Sequence, residues 1–197
     1  MKKLFLVFGL LFLTNNLFAN DQIKVQELFV QKIEEVTTIV SDKGLSKQDR
    51  NSQIVKTLEP IFDFEIMAKL SLGKTWTKLT KEEKVKFIEL YVERMKKSYS
   101  SKLDQYSGEK FEVVQLQQPK ENRILLDTNL VATEKRFDVK YKFYKPKYPK
   151  ENKNDWLIYD VEILGVSILK TDRAQFKEFL QTQTLSDLMA ELAKSNS

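Results

Sequence analysis

The chain has 197 residues with 33 Lys and Arg, 28 Asp and Glu, 13 Phe and 7 Tyr, but no His and no Cys. That composition excludes a disulfide scaffold, the Ser–His and Cys–His nucleophile pairs, and the commonest zinc ligands. The formal net charge of +5 is mild and carried mostly by Lys. With no Arg-rich or aromatic-plus-basic motif, it argues against a nucleic-acid partner.

Lys2 and Lys3 precede an apolar run from Leu4 to Leu13, a polar stretch follows, and Ala19 stands before Asn20 and Asp21. A basic start, a short apolar core and a small residue at a cleavage point are the marks of a secretory signal. The run is too short to cross a bilayer, which takes roughly 20 apolar residues. The expectation is therefore a signal peptide over 1–19, cleaved near Ala19, and a single domain over 20–197 in the periplasm.

From Gln22 to Val40 the apolar positions recur at roughly helical spacing, with Gly44 as a stop. Ser46 and Asp49 predict an N-cap for a helix from Lys47 to Leu58, with Pro60 just beyond. The segment Ile61-Phe62-Asp63-Phe64 leads into a short helix ending at Gly73. Thr80-Lys81-Glu82-Glu83 is a capping box, and Val85, Ile88, Tyr91, Val92, Met95, Tyr99 and Leu103 follow at three- and four-residue steps. The period then changes to two. Strands are predicted around Phe111–Gln115, over Ile124–Val131, over Phe137–Phe143 and over Trp156–Val166. A polar, Pro-containing loop from Lys145 to Asp155 separates the last two. Helices from Asp172 to Gln181 and Leu185 to Ala193 close the chain.

Helices, then antiparallel strands, then helices make an α+β domain, with one curved four-stranded antiparallel sheet packed against helices. Such a sheet can enclose an apolar pocket where its inward side chains do not fill the space. Periodicity alone leaves a filled core and a ligand cavity both open. Asp63 and Asp160 could be taken for a catalytic pair; their positions fit better an N-cap and a loop or bulge hydrogen-bonder. Lys140, Lys142, Lys145, Lys147 and Lys150 form a basic strand and loop, either a solvated face or a docking surface.

Two stretches carry a longer pattern. The first is Phe62-Asp63-Phe64-Glu65-Ile66-Met67-Ala68-Lys69-Leu70-Ser71-Leu72-Gly73-Lys74-Thr75-Trp76. The second is Trp156-Leu157-Ile158-Tyr159-Asp160-Val161-Glu162-Ile163-Leu164-Gly165-Val166-Ser167, followed by Arg173-Ala174-Gln175-Phe176. In order and spacing these resemble the signatures of the MlaC family of periplasmic phospholipid-binding proteins, also called toluene-tolerance proteins. Leu164 stands where that family usually carries an acidic residue, and Gln183-Thr184-Leu185 where a Gly is common.

The resemblance implies a non-enzymatic phospholipid carrier without a cofactor. It implies shuttling between an outer-membrane lipoprotein–porin complex and an inner-membrane ABC transporter with an MCE-domain subunit, which maintains outer-membrane lipid asymmetry. The expected lipid-binding residues are inward apolar positions on the long helix, the sheet and the Phe-Asp-Phe segment. They are Phe62, Phe64, Met67, Leu70, Trp76, Phe87, Tyr91, Met95, Tyr99, Val113, Leu126, Val139, Tyr141, Phe143, Trp156, Ile158, Val161, Ile163 and Val166. Arg173 is the candidate for the headgroup phosphate, because a guanidinium binds phosphate in a bidentate way. The competing readings are an exported adaptor with a filled core and, less favoured without His, an enzyme on a related cone-shaped fold.

Overall fold

The computed structural model describes residues 13–103, 109–131 and 136–196, with side chains described for 20–98, 109–131 and 136–195. The expected leader lies partly outside the described residues. In chain order the elements are helix α1 (Leu13–Ser41), α2 (Lys47–Leu58), a 3-10 turn (Glu59–Ile61), α3 (Phe64–Leu72), a second 3-10 turn (Gly73–Lys78) and α4 (Lys81–Leu103). Strands β1 (Lys110–Lys120), β2 (Arg123–Val131), β3 (Arg136–Tyr144), β4 (Leu157–Ile163) and β5 (Val166–Ser167) follow, then α5 (Ile168–Phe179) and α6 (Leu185–Asn196). The five strands form one antiparallel meander in chain order. The fold is α+β, as the order of periodicities predicts.

Local chemistry sets the helix ends. Ser46 accepts from the Asp49 amide at the start of α2, and Asp63 accepts from the Ile66 amide at the start of α3. The capping box of α4 forms in both directions: the Glu83 amide donates to Thr80 Oγ1 at 3.1 Å, and the Thr80 amide donates to Glu83 Oε2 at 2.8 Å. Gly73, at φ 55, ends α3 in a conformation that a side chain would strain.

Two elements differ from expectation. The fourth strand stops at Ile163, because Leu164 and Gly165 both take positive φ and turn the chain into β5 as a two-residue hairpin. Helix α5 begins at Ile168, four residues earlier than predicted, because the Ser167 hydroxyl caps it by accepting from the Lys170 amide.

One sheet face is apolar. Ile124, Leu126 and Thr128 on β2 pair with Phe143, Tyr141 and Val139 on β3. On β4, Ile158 and Val161 are three residues apart, an odd step that would send them to opposite faces of a regular strand. A register shift between Lys142 and Phe143 absorbs the extra residue, and both stay inside.

Helices α3, α4, α5 and α6 pack together. Their core is dense: Phe176 meets Phe87 and Tyr91 edge-on, at ring centroid distances of 5.9 and 6.3 Å. Helices α1 and α2 pack on each other, and α1 also lies against β1 and β2.

Candidate ligand pocket

Between the α1–α2 pair and the inner face of the sheet lies a cavity of about 210 Å³. Helix α1 contributes Phe29, Lys32, Ile33 and Val36; α2 contributes Ile54, Val55 and Leu58. Ile61, Phe62 and Phe64 come from the segment before α3, and Lys96 from α4. The sheet supplies Phe111, Leu130, Val139, Tyr141, Ile158, Val161 and Ile163.

The Phe-Asp-Phe segment is placed by the sheet. Phe62 forms a parallel bridge with Ile158, and the Asp63 amide donates to the Ile158 carbonyl at 2.9 Å. Held as an extra extended piece, the segment sends alternate side chains opposite ways. Phe62 and Phe64 stack at 5.3 Å and line the cavity. Asp63 instead takes hydrogen bonds from the Tyr144 hydroxyl and Lys150. The loop from Lys145 to Asp155 is pinned to the same segment: Lys153 Nζ donates to the Glu59 carbonyl at 2.6 Å and the Asn154 amide to the Pro60 carbonyl at 3.0 Å.

The cavity wall is rich in rings. Phe29 lies 4.7 Å from Tyr141 and 6.2 Å, edge-on, from Phe111. Burial pushes the Tyr141 phenol well above its ordinary pKa, so it stays a neutral donor. Two cations reach the wall. Lys32 pairs with Glu35 at 2.6 Å and Lys96 with Glu59 at 3.2 Å. The hydrogen bond from Lys32 holds the Glu35 carboxyl below its usual range.

Of the residues singled out in the sequence, Phe62, Phe64, Val139, Tyr141, Ile158, Val161 and Ile163 line this cavity. Met95, Ile163 and Val166 border a separate groove with Arg94, Thr171 and Asp172. Met67, Phe87, Tyr91, Leu126, Phe143 and Trp156 are buried in the main core, and Trp76 and Val113 pack against it half-buried. Leu70 is half-buried on α3, and the Tyr99 side chain is outside the described residues. Arg173 is exposed on α5 and lies over Gly73, away from the cavity wall.

Sequence reasoning passed over α1 and α2 as wall elements. Their signal was present, since Ile33 and Val36 fall on the helical period, but period alone does not say which layer a helix covers.

Three buried aspartates tie the frame together, each with its own partners. Asp63 caps α3. Asp160, beside the β3–β4 register shift, accepts from Lys142 Nζ at 2.9 Å, Ser167 Oγ at 2.7 Å and the Leu169 amide at 3.1 Å. Asp172 accepts from Tyr91 Oη at 2.8 Å and Arg94 at 2.7 Å. Every one of these partners belongs to the fold, so the carboxylates act as clamps between elements. Among the described residues no cluster of three or more acidic side chains is placed to hold a metal ion.

Comparison with known proteins adds three likenesses. The family model described as MlaC protein matches residues 30–194. The intermembrane phospholipid transport system binding protein MlaC of Haemophilus influenzae is 26% identical over 167 residues, which take in 81% of this chain and 75% of that protein. A solved structure of the phospholipid-binding protein from Ralstonia solanacearum, in complex with a phospholipid, superposes with a TM-score of 0.73 at 18% identity, covering 87% of this chain and 96% of that one. At that identity the likeness is one of fold.

Proposed function

The chain belongs to the MlaC family, and from that premise we propose that it is a periplasmic phospholipid carrier, made with a signal peptide over 1–19 and active as the domain 20–197. The observation that carries this reading is the apolar cavity between α1–α2 and the sheet. The relative from Haemophilus influenzae is named for intermembrane phospholipid transport, and the neighbour from Ralstonia solanacearum is described with a phospholipid bound.

The physical need is plain. Exposing a methylene to water costs about 0.8 kcal/mol, so two acyl chains with roughly thirty methylenes face a barrier on the order of 20 kcal/mol between membranes. A carrier removes that barrier by covering the chains, and no bond in the lipid has to change. The role is binding, not catalysis, and it needs no cofactor.

The cavity as it stands is small. Ligand pockets typically span roughly 300–1,000 Å³, against about 210 Å³ here. Loading therefore requires the α1–α2 pair to part from the sheet. That movement is easiest where the contacts are apolar and adaptable, as they are between Phe29, Ile33 and the sheet. Hand-over in direct contact with an outer-membrane lipoprotein–porin complex on one side, and an inner-membrane MCE-domain ABC transporter on the other, keeps the chains covered at both ends of the journey.

A transfer assay tests the proposal. Purified protein is mixed with donor vesicles carrying a self-quenched fluorescent phospholipid and with unlabelled acceptor vesicles. Dequenching that scales with protein concentration is the expected result. Transfer at the protein-free rate, with no lipid taken up, would favour an exported adaptor with a filled core.

A further inference from the structure

The basic strand and loop divide into lysines committed inside the fold and lysines that are not. Lys140 pairs with Asp127 at 3.4 Å, Lys142 is shared by Asp160 and Glu162, and Lys150 reaches Asp63 at 2.8 Å and Glu65 at 3.3 Å. Lys145 has a longer pair with Asp21, at 3.5 Å, and lies over the Trp156 ring. Lys147 pairs with no carboxylate among the described residues; its ammonium stands 5.2 Å from the centroid of the neighbouring Tyr148 ring.

Tyr148 is the odd side chain of this loop. At 70% exposure it is the most exposed large apolar side chain among the described residues. Pro146 and Pro149 flank the pair and fix the backbone on both sides. Behind this tip the loop is held to the frame: the Lys145 amide donates to the Asn122 carbonyl at 3.2 Å, and Lys153 and Asn154 donate to the Glu59 and Pro60 carbonyls. The first of these bonds sets the β1–β2 turn beside the loop, with Lys120 exposed and Arg123 lying 5.4 Å over the Tyr144 and Tyr159 rings. Together, residues 120–123 and 145–155 carry six Lys and Arg against Glu121, Glu151 and Asp155.

We infer that this tip is a docking element for an anionic bilayer surface, with Tyr148 seated at the headgroup level and Lys147 and Lys145 meeting the lipid phosphates. Charge and shape favour a bilayer over an acidic protein. Lysines on flexible stems suit a diffuse layer of anions, whereas protein interfaces are depleted in Lys and bury about 800 Å² on each partner. One ring between two prolines offers no such face. Tyr, with an apolar body and a polar end, belongs at the membrane–water boundary. Each lysine close to an anionic surface strengthens binding about fivefold, so the docking is weak and reversible. The tip lies at the Lys120–Arg123 end of the β1–β2 ladder, while Phe111 and Leu130 of the cavity wall pair toward the other end. Docking by the tip therefore leaves that end of the cavity uncovered.

Sedimentation with vesicles tests the inference. The purified protein is mixed with vesicles of phosphatidylcholine alone or of phosphatidylcholine with phosphatidylglycerol, and the protein that pellets with them is measured. That readout does not depend on lipid entering the cavity, so it stands or falls apart from the carrier reading. Wild type should pellet with the anionic vesicles at about 50 mM salt, and its partition should fall about tenfold or more at about 500 mM, where the Debye length shrinks to about 4 Å. Lys147→Glu changes the tip by two charges and should lower the partition about 25-fold. Tyr148→Ser should lower it as well, and neither change should move the melting temperature, because both side chains are exposed. Lys97→Glu, exposed on α4, controls for net charge and should stay within about threefold of wild type. Wild type left in the supernatant at low salt, or bound equally to phosphatidylcholine alone, would overturn the proposal and leave the loop to an acidic protein or to solvent. A Lys147→Glu variant that binds like wild type would overturn the assignment to this tip.

Discussion

Replacing Val139 with Trp fills the cavity from the sheet side. Val139 is 7% exposed and lines the cavity beside Tyr141 and Val161. At a water-sized slot of ~30 Å³, the 210 Å³ available gives roughly seven positions for chain methylenes. An indole in place of an isopropyl occupies about half of them, and at about 0.8 kcal/mol per methylene the ligand loses ~3 kcal/mol, or roughly 100-fold in affinity. The fold should bear the change. Overpacking a filled core costs about 1–3 kcal/mol, but here the ring enters space that is already empty, so the melting temperature should move by less than about 4 °C. The assay incubates delipidated protein with liposomes, extracts the bound lipid and weighs it, with Gln117→Trp on the exposed side of β1 as the control. Wild-type lipid content in Val139→Trp with an unchanged melt would refute the reasoning, because the ligand would then sit elsewhere. A melt lowered by ten degrees or so would refute it differently, by showing that the volume is not free.

Three further outcomes follow from the frame. Lys142→Met removes the ammonium shared by Asp160 and Glu162 and should cost about 2–4 kcal/mol at pH 7 in urea unfolding. Because Lys142 holds the Glu162 carboxyl below its usual range, that stabilisation is present above the ordinary carboxylate pKa and lost as pH falls through the folded value. The gap between variant and wild type should therefore narrow below about pH 4.5; a constant gap would contradict the pairing. Leu164→Asn should stabilise by about 1 kcal/mol, since Leu164 is exposed at φ 50 in a two-residue hairpin that favours Asn-Gly, and a lower melting temperature would count against that turn. Gly73→Ala should cost about 1–3 kcal/mol, because φ is 55 and the new methyl would meet Arg173 Nε at 3.0 Å; an unchanged denaturation midpoint would show the turn to be relaxed.

The architecture could be read in the sequence where local signals and tertiary packing agree. Thr80 and Glu83 announce α4 because both halves of a capping box are side-chain to backbone bonds made within one turn. The Lys140–Phe143 alternation announces β3 for the same local reason. The hairpin at Leu164-Gly165 was missed because Leu is a poor residue at positive φ. An Asn there would have signalled a turn. The early start of α5 was missed because Ser167 looks like strand until its hydroxyl is seen capping Lys170.

The pocket was harder. Phe87 and Phe64 are equally apolar and both are buried, yet Phe64 faces the cavity and Phe87 packs against Phe176. What separates them is which layer stands opposite, and that depends on contacts between distant segments. The parallel bridge from Phe62 to Ile158 is such a contact: it spans about half the chain and turns Phe62 and Phe64 toward α1 and α2. Lys32 gave no sequence signal, being one of two lysines, with Lys24, on an amphipathic helix.

The most direct test of the account is native mass spectrometry of residues 20–197, directed to a bacterial periplasm and purified without detergent. The account predicts a bound mass equal to a two-chain phospholipid, released on denaturation and absent from Val139→Trp. A mass equal to the bare polypeptide, unchanged after incubation with phospholipid vesicles, would contradict it.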